Sequence, residues 1–152
     1  MYNNYMIKEK LQKDVKDALK SGDRKKLMVL GMVLAAIKNK EIEKRTELTD
    51  EDVIGIISSE IKKRKDSVEQ YEKGGRPELA DGEKREVEML MTYMPEQMSE
   101  EDVRNEVKKT IAETGIRDMK EMGKLIGAVM VKVKGKTDGQ VVSRIVKEEL
   151  SK

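Results

Sequence analysis

The run LMVLGMVLAAI, residues 27–37, is the longest stretch of this chain without a charged side chain. Its eleven residues are too few to cross a bilayer, because a spanning helix needs about 20. As a helix, the run is apolar on nearly every face, which is typical of the buried centre of a helical bundle. We therefore predict an all-α fold in which this helix is the centre of its bundle.

Helical spacing continues on both sides of this run. Apolar residues recur at intervals of three and four from Ile7 onward, and Gly22 is a typical helix-ending residue before the second helix. The sequence TDED, residues 49–52, resembles a capping box and begins a third helix, and Pro77 suits the first turn of a fourth. Apolar and polar residues nowhere alternate for long enough to indicate a strand.

Pro95 is the clearest boundary in the chain. A residue before proline is disfavoured in the helical conformation, so the fourth helix should end near Met94. The sequence SEED, residues 99–102, is a second capping box and begins the first of three shorter helices. The sequence thus predicts a larger N-terminal four-helix domain, residues 1–95, and a small C-terminal three-helix domain, residues 96–152.

The composition excludes several kinds of site. The chain has no His and no Cys, which removes Ser-His-Asp triads, cysteine nucleophiles, disulfides and ordinary zinc centres. We therefore expect no metal, no cofactor and no catalytic residue.

Charged residues make up 41 % of the chain. The first twenty residues already carry Lys8, Glu9, Lys10, Lys13 and Asp14, which speaks against a signal peptide. We expect a soluble cytoplasmic protein that does not associate with membranes.

Positive charge is concentrated near the C-terminus. Residues 117–147 hold eight basic and three acidic side chains, and residues 122–137 hold no acid. Such a local excess is typical of a surface that contacts phosphates. The alternative is a solvated lysine surface in a lysine-rich protein, and charge alone does not decide between the two.

Two smaller patterns also have competing interpretations. Gly123 and Gly127 lie one helical turn apart, which favours close packing against another backbone within the three-helix domain. In the other interpretation, the bare backbone lets a large ligand such as a nucleic acid come close. The run KKRK, residues 62–65, spreads around a helix and has acids three and four positions away, so we interpret it as a salt-bridged exposed face.

Several segments together resemble a known family. They are KRKDS (63–67), GRPELA (75–80), YMPEQMS (93–99), MGK (122–124), VKGK (133–136) and DG (138–139). The pattern is similar to the YqeY family, stand-alone relatives of the tail of the B subunit of the glutamine-dependent aspartyl/glutamyl-tRNA amidotransferase. The resemblance extends from the first helix to Leu150. Relatives usually carry Arg at the position of Gly31, so any role of that arginine is absent here.

The resemblance implies an all-helical, two-part fold and contact with tRNA. It also implies a family label of carbon–nitrogen ligase activity with glutamine as amido-N donor. In the amidotransferase the related tail helps to hold the tRNA, while amide transfer takes place elsewhere in the complex. Because this chain lacks a nucleophile apparatus and an ATP-binding loop, we expect it not to be catalytic alone.

These observations lead to a prediction of a tRNA-binding helical module. The residues predicted to neutralise phosphates are Lys124, Lys132, Lys134, Lys136 and Arg144, and those predicted to permit close backbone approach are Gly123, Gly127, Gly135 and Gly139. The alternative is a protein-interaction adaptor. It would dock on an aminoacyl-tRNA synthetase or an amidotransferase subunit through its methionine-bearing helices, since methionine adapts readily to a partner surface.

Overall fold

The chain is all-helical, as its computed structural model shows for residues 4–152. This range contains seven α-helices and one short 3-10 turn, and it contains no strand. The prediction of an all-α fold is therefore confirmed. Contacts between residues divide the chain into two compact units, Met1–Met94 and Pro95–Lys152.

The first unit contains four helices. They are α1 (Met6–Ser21), α2 (Arg24–Lys44), α3 (Asp50–Lys73) and α4 (Pro77–Met91). Gly22 ends α1 in the left-handed conformation with φ of 76°, which a residue without Cβ adopts most easily. The carboxylate of Asp23 then accepts a hydrogen bond from the backbone N–H of Lys26 and begins α2. A reciprocal capping box of Thr49 and Asp52 begins α3.

The second helix is not the buried centre of this unit. Its residues Leu30 and Val33 are fully buried, but Met28 is 58 % exposed and Met32 is 53 % exposed. In a bundle of four helices, each helix buries the face that meets its neighbours and leaves the other face in water. The prediction of a central α2 was therefore wrong, and the sequence places methionines on its solvent side.

The end of the first unit is attached to α1. Tyr93 is 6 % exposed, and its hydroxyl donates a 2.5 Å hydrogen bond to Oδ2 of Asp14. The Nζ atom of Lys10 lies 5.0 Å from the centre of the Tyr93 ring, within the range of a cation–π contact. Burial and the bond to Asp14 raise the pKa of Tyr93 far above its usual value.

The second unit contains α5 (Glu100–Thr114), a 3-10 turn (Met119–Glu121), α6 (Met122–Val133) and α7 (Gly139–Leu150). Its core is aliphatic and consists of Val103, Val107, Ile111, Leu125, Val129, Val133, Val142, Ile145 and Val146. The segment before α5 is bonded to the turn before α7. There the side-chain amide of Gln97 donates to the carbonyl of Gly135 at 2.9 Å, and the N–H of Met98 donates to that of Lys136 at 2.8 Å.

Candidate nucleic-acid interface

One face of α6 is open to solvent. Leu125, Val129 and Val133 point into the core of the second unit, four residues apart. Gly123, Lys124, Gly127 and Val131 are all exposed, and Val131 is 82 % exposed. At 100° per residue these positions lie on the side of α6 opposite the buried stripe. The exposed face of α6 therefore carries two glycines, a lysine and a valine, and no acid.

The two glycines of this face pack against nothing. A Cβ atom placed on Gly123 or on Gly127 would have no neighbour within 4 Å. The interpretation that they permit tight packing within the three-helix unit is therefore wrong. Because they lie opposite the core stripe, no other helix of the unit approaches them, and their bare backbone is accessible from solvent.

The turn after α6 contributes two more exposed lysines. Lys134 and Lys136 are exposed on either side of Gly135. Gly135 is buried and has a φ of 77°. Because a residue without Cβ adopts this φ most easily, Gly135 is needed to form the turn. Gly139 is exposed at the first turn of α7, where an added Cβ would lie 4.0 Å from the Cε of Met130.

Lys132 and Arg144 differ from the other basic residues because both are ion-paired. The Nζ of Lys132 lies 2.5 Å from Glu113 and 3.5 Å from Glu106, both on α5. The pair with Glu113 raises the pKa of Lys132. Arg144 of α7 lies 2.5 Å from Glu100 and 3.1 Å from Glu148. These two cations link helices of the second unit, and acids already balance their charge.

Lys124, Lys134 and Lys136 form no ion pair with any residue in the range 4–152. Lys120 is also exposed and unpaired in that range, and it lies in the 3-10 turn four residues before Lys124. The predicted contact set omitted Lys120, although the sequence places it within the basic segment 117–147. The structure thus separates an uncompensated group, Lys120, Lys124, Lys134 and Lys136, from the paired Lys132 and Arg144.

The other basic run, residues 62–65, is only partly the exposed face that its sequence predicts. Lys63 is exposed and lies 3.5 Å from Glu60, as the spacing indicates. Arg64, however, is only 7 % exposed and contacts Glu60 at 2.8 Å and Glu86 of α4 at 3.6 Å. This arginine connects α3 to α4, which the spacing along α3 could not indicate.

Within the described range, no helix combines the length and the apolar character needed to span a bilayer. Comparison with known protein families identifies one match. The family model described as "Yqey-like protein" matches residues 8–150 of this chain.

Several curated relatives share part of this sequence. A protein of Vanderwaltozyma polyspora is 39 % identical over 85 residues, which cover 55 % of this chain and 46 % of the relative. A protein of Pyrenophora tritici-repentis is 25 % identical over 146 residues, which cover 94 % of this chain and 80 % of the relative. A protein of Saccharomyces cerevisiae is 33 % identical over 104 residues, which cover 66 % of this chain and 56 % of the relative. Each is named "Altered inheritance of mitochondria protein 41, mitochondrial".

The matches with two of these relatives are partial, and the names of all three correct one expectation. The matches in V. polyspora and S. cerevisiae cover about half of each relative's length. The expectation of a cytoplasmic protein is contradicted, because these relatives are named as mitochondrial. The charged residues near the N-terminus speak against a secretory signal peptide, which is a separate question from mitochondrial location.

Proposed function

Because this chain belongs to the YqeY family, we propose that it is a tRNA-binding helical module whose contact surface is the exposed face of α6 and the turn after it. One observation carries the proposal. This surface combines bare glycine backbone at Gly123 and Gly127 with lysines that no acid of the described chain balances. Lys132 and Arg144 of the same unit, by contrast, are already paired with acids.

The lysines are spaced to contact separate phosphates. Lys124 and Lys134 are ten residues apart, or about 15 Å along the helix axis. This distance spans several nucleotides, so each lysine neutralises its own phosphate. Phosphate contacts contribute affinity and orientation without reading the base sequence. The proposed interface would therefore bind RNA without selecting a base sequence.

The glycines explain how the RNA comes close. With no side chain at Gly123 or Gly127, a sugar–phosphate backbone can approach the helix to within contact of its main chain. Folded RNA offers ribose hydroxyls and phosphates across its shallow minor groove, and proteins read this surface largely by its shape. The chain has only four aromatic residues, all tyrosines, so base stacking is a minor part of the recognition.

The test is the salt dependence of binding to total tRNA. In the variant K124Q/K134Q/K136Q, the log–log slope of affinity against salt should fall by about 2–3 units, because each lost phosphate contact removes about 0.7–0.9. The matched control K62Q/K63Q/K65Q removes the same charge from α3 and leaves the buried Arg64 in place. This control should keep the original slope.

Other outcomes contradict the proposal. An equal loss of slope in both variants would mean that only bulk charge matters. A loss in the control alone would move the interface to α3. If the unmodified protein does not bind tRNA at low salt, the proposal fails altogether.

A second candidate function, an adaptor that docks on a partner protein, is favoured by the exposed methionines Met28 and Met32 of α2. They belong to the first unit, whereas the proposed RNA interface lies in the second. The two functions are therefore compatible and can be tested separately.

A further inference from the structure

The solvent side of α2 presents an apolar stripe that is interrupted once, by the exposed polar residues Lys38 and Asn39. Met28, Met32 and Ile42 are 58 %, 53 % and 66 % exposed, and Ala35 is exposed between them. A Cβ placed on Gly31 would meet nothing within 4 Å, so the helix surface is indented between the two methionines. These positions recur on one face of α2. From Met28 to Ile42 the stripe is about 21 Å long.

Positive charge frames this stripe. From Arg24 to Lys40 the sequence of α2 contains no acid. Arg24, Lys25 and Lys38 are exposed, and none forms an ion pair with another residue of the described range. Carboxylates brought to this face by a partner would therefore meet cations that have no other counterion.

A shallow cleft extends the same face at the C-terminal end of α2. It has a volume of about 450 Å³, and Lys38, Ile42 and Arg45 form part of its lining. Its acids, Glu41 and Glu47, already contact Lys8 at 2.9 and 3.3 Å. Lys38 and Arg45 thus remain as the cations that an incoming group would meet, beside the exposed Ile42.

We infer that the solvent face of α2 is a docking surface for an acidic amphipathic helix of a partner protein. The stripe has the length of about four helical turns, and helices bind to such surfaces through apolar residues at i, i+3, i+4 and i+7. Methionines suit this role because their unbranched, polarisable side chains adapt to the partner. Carboxylates flanking the partner's apolar face would pair with Arg24, Lys25, Lys38 and Arg45.

Two other partners for this face, a second copy of this chain and an RNA, are disfavoured. A second copy of this chain that docks through the same face would bring the same cations, and like charges across an interface oppose association. An RNA backbone would satisfy the cations but would cover the methionines and Ile42 with phosphate and ribose, with little gain from burying apolar surface. An acidic amphipathic helix satisfies both parts of the face.

The experiment uses the full chain and a labelled synthetic peptide of 18 residues, with leucines on one helical face and glutamates on the other. The acidic peptide should bind, more weakly at higher salt, while the same peptide with lysine in place of each glutamate should not. Replacing the stripe in M28Q/M32Q/I42Q should weaken binding at least about tenfold, since truncating central anchors is costly. The control L19Q/L79Q removes exposed leucines of α1 and α4 and should leave binding unchanged.

A second measurement needs no variant. With 13C-methyl methionine, the signals of Met28 and Met32 should shift on adding the acidic peptide, while those of Met122 and Met130 of α6 should not. The inference is overturned if the lysine peptide binds equally, if the acidic peptide does not bind at about 1 mM, or if neither the variant nor the methyl signals respond. It is also overturned if M28Q/M32Q/I42Q loses tRNA affinity or loses a dimer present in the unmodified chain.

Discussion

The ammonium nitrogen of Lys132 lies 2.5 Å from Oε2 of Glu113, so this lysine of α6 is bonded to the neighbouring helix α5. Lys124, on the same helix, has no acid partner within the described range. A cation that is already paired must break its pair before it can neutralise a phosphate, whereas an unpaired one only displaces counterions condensed on the RNA. One basic segment of sequence thus contains both paired and unpaired cations.

We predict that Lys132 and Arg144 stabilise the second unit and contribute little to RNA binding. In K132Q/R144Q, the carboxylates of Glu113 and Glu100 lose their partners, so the thermal unfolding midpoint should fall modestly, as expected for partly exposed ion pairs. The salt slope of tRNA binding should stay within about 0.5 of its original value. Circular dichroism and filter binding measure the two effects. A slope that falls by about 1.5 or more would place both residues in the interface.

For the exposed glycines of α6, we predict that substitution leaves the fold intact or more stable and that a large side chain weakens RNA binding. Alanine is favoured over glycine inside a helix by about 0.5–1 kcal/mol, and neither position has a neighbour to clash with. G127A should therefore raise the free energy of unfolding of the second unit by that amount, measured in urea, and G123A, in the first turn of α6, should raise it by less. A larger side chain, in G127L, should keep the fold but weaken tRNA binding several-fold. Destabilisation by G127A would instead indicate a packed glycine.

The hydrogen bond between Tyr93 and Asp14 contributes to the stability of the first unit. In Y93F the ring remains buried, but the bond to a carboxylate is lost, at a cost of about 1–2 kcal/mol. Urea unfolding measures this difference at pH 7. The double variant Y93F/D14N is the control, and it should be no less stable than Y93F alone. A stability equal to that of the unmodified chain would show that the bond contributes nothing.

The same tyrosine gives a pH dependence with a defined sign. Burial and the bond to Asp14 raise the pKa of Tyr93 in the folded chain, so the folded state holds its proton more tightly than the unfolded state. The resulting stability is complete below the unfolded pKa of about 10 and declines as pH rises above it. The difference in unfolding free energy between the unmodified chain and Y93F should therefore shrink between about pH 9.5 and pH 11. A constant difference would contradict the assignment.

We also predict that the first unit folds without the second. Its core is complete within the unit, where Leu11, Leu30, Ile57 and Leu90 are fully buried. A fragment of residues 1–94 should show a cooperative thermal transition by circular dichroism. A broad, featureless melt would mean that the two units depend on one another and that residues 1–95 are not an independent domain.

The helices of this protein follow from short-range features of its sequence. Gly22, Thr49 and Ser99 act within a few residues of themselves, through backbone conformation and side-chain caps, so they mark helix ends before any tertiary contact is known. Pro95 acts locally in the same way. The stripe of Val103, Val107 and Ile111 on α5 likewise needed only the helical period to be assigned to a core.

The roles of the basic residues and glycines required the tertiary structure. Lys132 and Glu113 are 19 residues apart, and Arg144 and Glu100 are 44 apart, so only the packing of α5, α6 and α7 shows that these cations are balanced. The open surroundings of Gly123 and Gly127 depend in the same way on which face of α6 the other helices cover. Helix formation is decided by neighbours along the chain, whereas exposure and charge compensation are decided by neighbours in space.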